Sequence, residues 1–342
     1  MGSTFEKYLE YMADDLYGTS NDGDFKVVRD FILRSIVGAN DLLTSTFEVE
    51  SLDFGSRALQ IENSDSDYDV MVVLKFPYFK DIFVRPDQHR PGMYHLDFKD
   101  VPYNSFTADN LLDNRCYLCR DKVQTLMQGI LMNAHDRTVQ SYRNYRLRYR
   151  RGQNCHTITA ESSDRRFSID FVPAIKIHFE GFDWQAIPKE APGPKRSSKC
   201  TFLRVHAGSE IFYFKKGGKK IRDAVMLLKA MCEAKNLPKI RKYHLVSLAN
   251  ALIEEDNFED SSLEYVFLDL LHDLLDAFED EHLPYYLNCD LNLLTDFNPN
   301  QLLAYRDALD SAYSTLKTYP GQYNLSYERC SWHFFGDDDD SD

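Results

Sequence analysis

The sequence predicts an α+β fold, with a mixed first half and a mostly helical second half. In the first half, polar and apolar residues alternate along 46–50 and 167–175, which is the period of a half-buried strand, and the apolar run 70–74 continues the strand pattern through 68–76. In the second half, apolar residues recur at every third or fourth position, which is the period of an amphipathic helix. A segment rich in Pro, Gly, Lys and Ser at 188–199 separates the two patterns and predicts a domain boundary.

The individual elements follow from the same two periods. Apolar residues at helical spacing predict two helices within the first 40 residues and further helices near 115–140, 224–232, 245–253, 263–278 and 302–316. With the boundary, they predict a first domain of residues 1–190, which holds the strands and the N-terminal helices, and a helical domain of residues 191–335. Five of the last seven residues, 336–342, are Asp, and we expect this acidic tail to be disordered.

The composition narrows the class of protein. With 43% hydrophobic residues among 342, the chain can bury a substantial core. No apolar run approaches the roughly 20 residues that cross a bilayer, and the N-terminal segment is acidic, so we expect a cytoplasmic protein without membrane contact. Seven scattered cysteines, an odd number, predict reduced thiols. The net charge of −14 argues against indiscriminate coating of nucleic acid, although it leaves a local basic face open.

A Gly-Ser turn followed by two closely spaced carboxylates is the most informative motif. Gly55 and Ser56 precede Asp67 and Asp69, which stand at the head of an apolar run. Side chains alternate along a strand, so the two carboxylates point the same way and offer two hard oxygen ligands of the kind that Mg²⁺ requires. Gly55 lets the backbone approach a triphosphate, and Ser56 offers its amide and hydroxyl to phosphate oxygens. This is the layout of a metal-dependent nucleotidyltransferase.

Asp170 is the predicted third partner of these carboxylates. It lies on a strand with Ser168 and Val172 on its own face and apolar residues on the other, where an unpaired charge would be costly. Three carboxylates on adjacent strands would hold two Mg²⁺ or Mn²⁺ ions about 3.5 to 4 Å apart, for hydroxyl activation and for neutralisation of the leaving pyrophosphate. The alternative is a solvated acidic turn at 65–69 with Asp170 isolated on its strand. The Gly-Ser turn upstream favours the catalytic interpretation.

These motifs resemble those of the Mab (male-abnormal) nucleotidyltransferase family, which includes cyclic GMP-AMP synthase and the cGAS-like receptors. The resemblance rests on the motifs above and continues through 223–229, Tyr243-His244, 283–286 and 291–294. It implies a bilobed enzyme with a twisted mixed β-sheet, flanking helices, an N-terminal spine helix and a C-terminal helical lobe. It also implies an innate immune, antiviral function in which ATP, GTP or other nucleoside triphosphates are joined into a cyclic dinucleotide. Double-stranded nucleic acid on the opposite face would activate the enzyme.

The resemblance also assigns roles to single residues. Lys229 is expected to contact phosphate, Tyr243 to stack on a nucleobase, and Arg204 to contact a base. Asp67 stands where the vertebrate synthase has Glu, which is one methylene longer. The zinc-binding insertion of the vertebrate synthase has no counterpart, because only Lys and Gly lie between Phe214 and Ile221, so structural zinc is not expected.

Basic residues are concentrated in three clusters that can build a phosphate-binding face. They are Arg143, Arg146, Arg148, Arg150 and Arg151; Lys215, Lys216, Lys219, Lys220 and Arg222; and Lys235, Lys239, Arg241 and Lys242. The members expected to contact a duplex are Arg148, Arg150, Arg151, Lys215, Lys216, Lys219 and Lys220. Because the chain lacks the zinc module that the vertebrate enzyme uses with DNA, the resemblance favours double-stranded RNA over double-stranded DNA. The alternative is that each cluster is an ordinary solvated surface.

Two other functions stay open at this stage. A catalytically silent relative could act as a scaffold or interaction protein, although the retained Gly55, Ser56 and three carboxylates argue against it. An enzyme similar to the oligoadenylate synthases would use the same metals to make linear products. The sequence does not decide which bases are joined, which hydroxyls form the linkages, or whether two copies assemble around a ligand.

Overall fold

A computed structural model describes residues 2–17, 22–62, 67–136, 141–142, 144–152, 154–190, 199–255, 258 and 261–336. The helices are α1 (Thr4–Leu16), α2 (Asp22–Ile32), α3 (Asp41–Thr46), α4 (Gly55–Ala58), α5 (Ser105–Asn110), α6 (Arg120–Asp136), α7 (Ala207–Lys216), α8 (Gly218–Ala234), α9 (Lys242–Glu255), α10 (Leu263–Glu279), α11 (Pro299–Leu316) and α12 (Tyr327–Phe335). The strands are β1 (Glu48–Phe54), β2 (Tyr68–Lys75), β3 (Phe83–Pro86), β4 (Met93–Asp97), β5 (Ser141–Tyr142), β6 (Tyr145–Arg151), β7 (His156–Glu161), β8 (Arg166–Phe179), β9 (Phe182–Pro188), β10 (Phe202–Val205), β11 (Pro284–Tyr285) and β12 (Asn288–Asn292). The predicted α+β class is confirmed.

The chain divides into two compact units. The sheet unit comprises Ser20–Gly55 and Ser66–Ala207, and the helical unit comprises Met1–Thr19, Ser56–Asp65 and Gly208–Asp342. This division differs from the linear one at residues 190 and 191, because α1 packs against α8, α10 and α12 and so belongs with the C-terminal helices. The predicted boundary segment and acidic tail lie largely outside the described residues.

The sheet unit is built on ten strands. They follow the order β3-β4-β10-β9-β8-β7-β6-β5, and β2 pairs with both β1 and β8. The β2–β8 pair is parallel, whereas the other pairs among the described strands are antiparallel. β2 is apolar through most of its length and buried on both faces, as expected for a strand at the centre of a covered sheet.

One face of the sheet forms the core of this unit. Val70, Val72 and Leu74 of β2 meet Phe171 and Ile175 of β8 there, all of them buried. Helices α2 and α6 pack over this face and bury their own apolar stripes against it. We call it the core face. The polar positions of β2 and β8 therefore fall on the opposite side of the sheet, as the alternation in the sequence predicts.

The helical unit is organised around α8. Its apolar residues are buried along nearly the whole helix, and α1, α10 and α12 pack against it. Side-chain caps define two of the helix starts: Ser262 accepts a hydrogen bond from Tyr265 N at α10, and Asn298 forms a capping box with Gln301 at α11. The four helices predicted after residue 224 are confirmed as α8, α9, α10 and α11.

The predicted strand at residues 46–50 is partly wrong. The chain is still helical at Thr46, because the last turn of α3 is closed by a hydrogen bond from Phe47 N to the Leu43 carbonyl at 2.8 Å. The strand β1 begins only at Glu48 but extends to Phe54, directly before Gly55. Within the described residues, no helix is both long enough and apolar enough to span a membrane.

Candidate active site

Asp69 and Asp170 stand side by side on the sheet face opposite the core face. Strands β2 and β8 are parallel and in register there, with Asp69 directly paired to Asp170. Adjacent strands lie about 4.8 Å apart, and paired residues project from the same face, so the two carboxylates are neighbours. Asp67 lies just before β2 and is exposed. Asp65 falls outside the described residues.

The three carboxylates act on one another electrostatically. Burial raises the pKa of Asp69 to about 7, and the negative charges of Asp170 and then Asp67 add to the effect. A carboxyl group with such a pKa is half protonated near neutral pH. A divalent cation beside it would favour the ionised form, so cation binding and proton release would be linked.

Gly55 makes room for the Asp69 carboxylate. Its φ is +74°, in the left-handed region that favours glycine, and a Cβ atom there would lie 2.1 Å from Oδ2 of Asp69 and 2.8 Å from its Cγ. The contact follows from the β1–β2 pairing, which sets Phe54 opposite Asp69. A glycine is therefore required at this position because any side chain would collide with the Asp69 carboxylate. The sequence alone does not reveal this contact. Ser56 follows it in the short helix α4.

Neutral donors from β7 and the segment before it hold Asp170. The Thr157 hydroxyl donates to Oδ1 at 2.6 Å, and the Cys155 thiol donates to Oδ2 at 3.3 Å. Burial, followed by the charge of Asp170, raises the pKa of Cys155 to about 11, so the thiol stays protonated as a donor. Neither residue was among the predicted site residues.

The donor chemistry of this site fits a hard divalent cation. Three carboxylates supply oxygen ligands of the type that Mg²⁺ and Mn²⁺ take, and Gly55 leaves the Asp69 oxygen uncovered. Among the described residues, the one group of three metal-capable side chains with all ligand atoms within 4.8 Å of one another is His272, Asp273 and Asp276 on α10. The ligand atoms of Asp67, Asp69 and Asp170 do not all lie within that distance of one another.

Arg204, the predicted base-contacting arginine, lies on the core face of the sheet. Antiparallel pairing from β8 through β9 to β10 sets Arg204 opposite Ala186 and Ala186 opposite Ile175, a core-face residue. Leu203 and Val205 instead fall on the carboxylate face. The Arg204 guanidinium lies over three aromatic rings of the core face, 5.1 Å from the ring of Tyr94, 4.7 Å from that of Phe179 and 4.3 Å from that of Trp184.

Lys229 and Tyr243 belong to the helical unit. The Lys229 ammonium donates to the carbonyl of Ile240 at 2.8 Å and forms an ion pair with Glu233 at 3.2 Å. The Tyr243 ring lies 5.4 Å from the ring of Tyr285. Burial, and then the charge of a nearby carboxylate, raise the pKa of Tyr243 well above its usual value.

That carboxylate is Glu210, a residue that the sequence analysis missed. Burial raises its pKa to about 7, and its Oε1 atom has no hydrogen-bond partner among the described residues. The sequence feature that could have indicated it is an acidic residue among the apolar residues of the first turns of α7. An acid with a buried oxygen that has no hydrogen-bond partner in the described part of the chain is a candidate for ligand contact beside Tyr243.

The arginines of the first basic cluster lie on two different faces. The β6–β7 register pairs Arg150 with Thr157 and Arg148 with Thr159, so both arginines share the face of Asp170. Arg148 also forms an ion pair with Glu161 at 3.1 Å. Arg151 falls on the core-face side and donates to the Gln128 side chain at 2.5 Å. Arg143 is outside the described residues.

The lysines of the second cluster differ in how they are neutralised. Lys219 bridges two carboxylates, Asp14 at 3.1 Å and Asp223 at 2.7 Å. Lys216 stacks its ammonium over the rings of Phe212 and Tyr213, at 4.7 and 4.9 Å. Lys215 is exposed and Lys220 half-buried. Lys219 is therefore less suited to phosphate binding than Lys215 and Lys216.

Comparisons with known proteins agree with this geometry. The family profile "Mab-21 protein nucleotidyltransferase domain" matches residues 58–206, a range that contains the three carboxylates, and "Mab-21 protein HhH/H2TH-like domain" matches residues 220–311. The fold and the site define a protein of the nucleotidyltransferase class. The chain belongs to the Mab-21 family, with the nucleotidyltransferase domain followed by the C-terminal domain of that family.

Several named proteins resemble the chain over most of its length. A cyclic GMP-AMP synthase-like receptor of Lucilia cuprina is 24% identical over 292 residues, which cover 77% of this chain and 78% of the relative. Cyclic GMP-AMP synthase-like receptor 1 of Drosophila melanogaster is 24% identical over 69% of this chain and 70% of its own. Receptor 2 of the same species is 24% identical over 89% of this chain and 72% of its own.

The first prediction concerns Gly55. Gly55→Ala should displace the Asp69 carboxylate and reduce any cation-dependent activity by about 100-fold or more, about 3 kcal/mol, because the new Cβ meets Oδ2. Gly181→Ala is the matched control: Gly181 has a φ of +85° but nothing within 4 Å of its Cβ position, so only the backbone strain remains. Mn²⁺ binding and thermal unfolding of both variants test this. Equal effects of the two substitutions would contradict the proposed clash.

The second prediction concerns pH. Because the folded-state pKa of Asp69 is raised, stability is lost as the pH rises from about 4 to 7, when this carboxylate must ionise in the folded protein. Asp69→Asn should therefore match wild type near pH 4 and melt several degrees higher at pH 8 without divalent cations. Asp183→Asn should show no such gain, because the His178 hydrogen bond lowers the pKa of Asp183. A melting difference for Asp69→Asn that does not change with pH would contradict the assignment.

Proposed function

We propose that the chain is a nucleotidyltransferase of the cytoplasm that joins two nucleoside triphosphates into a cyclic dinucleotide when double-stranded nucleic acid binds. The product would act as a second messenger in innate immune, antiviral signalling. The observation that carries the proposal is the in-register pairing of Asp69 with Asp170, with the charge of Asp67 acting on the same group. The relatives named cyclic GMP-AMP synthase-like receptors support the cyclic product.

Asp67, Asp69 and Asp170 would hold two Mg²⁺ or Mn²⁺ ions. When bound, such ions supply hydroxyl activation and neutralise charge on a leaving pyrophosphate. The protein's own residues prepare the site: Gly55 leaves one oxygen of Asp69 accessible, and Thr157 orients Asp170. The raised pKa of Asp69 means that the carboxyl group loses its proton as it becomes a ligand.

Nucleotide contacts are proposed for Gly55, Ser56, Lys229 and Tyr243. The Tyr243 ring offers an aromatic face for base stacking, which is tolerant of base identity. Lys229 would exchange its bond to the neutral Ile240 carbonyl for one to a phosphate oxygen, which is stronger because donor and acceptor then both carry charge. A base contact stays the prediction for Arg204, whose guanidinium lies over the aromatic rings of the core face.

We infer that double-stranded RNA is preferred to double-stranded DNA as the activating ligand. The chain lacks a His- and Cys-rich insertion between α7 and α8, where only Gly217 separates the two helices. A duplex recognised through backbone and shape needs exposed cations, and Lys215 and Lys216 at the end of α7 are suited to that role.

The third prediction is the activity itself. Purified protein is incubated with Mg²⁺ or Mn²⁺ and four labelled nucleoside triphosphates, with duplex RNA, with duplex DNA, or with neither. We expect a phosphatase-resistant product that depends on the duplex and is reduced at least 100-fold in Asp69→Asn and in Asp170→Asn, because each substitution removes a ligand charge without changing side-chain size.

Asp183→Asn serves as the control for that assay, since Asp183 pairs with His178 next to the turn between β8 and β9, at the opposite end of β8 from Asp170. It should keep near wild-type activity. Absence of a phosphatase-resistant product in every arm would contradict the proposal and favour a silent scaffold, whereas phosphatase-sensitive oligomers would indicate linear products. Product from Asp69→Asn at the wild-type rate would reject the metal site.

The fourth prediction concerns the basic residues at α7 and α8. The double variant Lys215→Gln, Lys216→Gln should weaken duplex binding and lower the slope of log K against log salt by about 0.9 for each phosphate that the variant no longer neutralises. Lys219→Gln should change the slope by less than half as much, because Asp14 and Asp223 already neutralise that lysine. Fluorescence anisotropy across a salt series measures both slopes. A double variant with an unchanged slope would exclude this surface as the binding site for the duplex.

A further inference from the structure

Asp69 and Asp170 differ in the hydrogen bonds that their carboxylates accept. Both oxygens of Asp170 accept hydrogen bonds from uncharged side chains, Thr157 on Oδ1 and Cys155 on Oδ2. Among the described residues, no side chain donates a hydrogen bond to Asp69, whose surroundings are marked by burial and negative charge. The orientation of Asp170 is therefore held by two side-chain hydrogen bonds before a ligand arrives, and within the described part of the chain Asp69 accepts none of that kind.

Strand pairing places the Thr157 hydroxyl next to Oδ1 of Asp170. β7 and β8 are antiparallel, and their register sets Thr157 directly opposite Asp170, on the same face of the sheet. Directly opposed side chains have Cβ atoms about 5 Å apart, which is within reach of a hydroxyl and a carboxylate. Thr157 is 5% exposed, and a β-branched side chain has few rotamers, so the hydroxyl has little freedom to turn away.

The two donors are not equally strong. The Thr157 bond is short, at 2.6 Å, while the thiol bond is long, at 3.3 Å, and an S–H group is a weak donor. The Gly152 amide donates to the Cys155 carbonyl at 2.9 Å, which restrains the backbone of Cys155 but not its thiol. A cation approaching Asp170 would displace the thiol more easily than the hydroxyl. Oδ2 is thus the oxygen available as a ligand, and Oδ1 the one that keeps its bond.

We propose that Thr157 is a positioning residue for divalent cation binding: its hydroxyl holds Oδ1 of Asp170 so that Oδ2 faces the space shared with Asp69. The inference rests on the proposed metal-dependent function. It adds Thr157, which is not itself one of the proposed metal ligands. Hydrogen-bond partners of metal ligands typically change metal affinity by 10- to 100-fold when they are removed.

The strand also provides a matched control. Thr159 lies two residues along β7, on the same face, and its hydroxyl meets that of Ser168 at 3.2 Å across the same strand pair. Thr159→Val removes a cross-strand hydroxyl contact of the same kind, next to the site but not on a carboxylate. A general effect of valine on β7 would appear in both variants, whereas a positioning effect would appear only at Thr157.

The experiment measures Mn²⁺ binding to the full chain by electron paramagnetic resonance, with a non-hydrolysable ATP analogue present. Thr157→Val should weaken Mn²⁺ binding about 10-fold, Thr157→Ser should restore it to within about threefold of wild type because the hydroxyl returns, and Thr159→Val should stay within about twofold. Thermal unfolding confirms that each variant is folded. If Thr157→Val does not fold, Thr157→Ala replaces it, with the same expected loss.

The outcomes separate the inference from the proposed function. Wild-type protein that binds Mn²⁺ no better than the double variant Asp69→Asn, Asp170→Asn would overturn the metal site and, with it, this inference. Wild-type binding that is lost in that double variant but unchanged in Thr157→Val would overturn the positioning role alone. Equal losses in Thr157→Val and Thr159→Val would also overturn it, because they would show an effect of the strand and not of the hydroxyl on Asp170.

Discussion

The parallel pairing of β2 with β8 is the constraint on which the site depends. It brings two carboxylates that are about a hundred residues apart in sequence onto neighbouring positions of one face. The same strands bury Val70 and Phe171 on the other face, so the apolar core fixes the register that holds the like charges together. A slip of one residue would move both sets to the wrong side. Burial raises the pKa of Asp69 to about 7, and the neighbouring charge of Asp170 adds to the effect.

The parts of this arrangement that the sequence predicts are those set by local periodicity. Alternation along β8 indicates which of its residues share a face, the apolar run of β2 indicates a buried strand, and the three-to-four spacing indicates α8 to α11. The partner of each strand is not a local property. Nothing within residues 68–76 reveals that β8, and not another strand, lies beside it, and Gly55 shows its packing reason only once β1 is set against β2.

Arg204 shows where the pattern fails. β10 is four residues long and buried on both sides, so its sequence carries no alternation that distinguishes the two faces. The face becomes clear only from the register with β9 and from the rings of Tyr94 and Trp184, which come from other strands. Glu210 is not predictable for a related reason. Its burial depends on tertiary packing, and a single acidic residue within a helix gives no sign of that packing in the sequence. The placement of α1 with the C-terminal helices is likewise a tertiary property.

The site includes residues besides the three proposed metal-binding carboxylates: Thr157 donates a hydrogen bond to Asp170, and Gly55 leaves room for Asp69. Both residues are uncharged and lie against a carboxylate. Thr157 is on β7 and Gly55 directly follows β1, and these two strands flank the β2–β8 pair. The most direct test of the whole account is anomalous diffraction from crystals of the full chain containing Mn²⁺ and a non-hydrolysable nucleoside triphosphate. The account predicts anomalous peaks within about 2 Å of oxygens of Asp69 and Asp170, with Asp67 drawn in beside them. Peaks confined to the His272 group on α10, or none near the paired carboxylates, would contradict it.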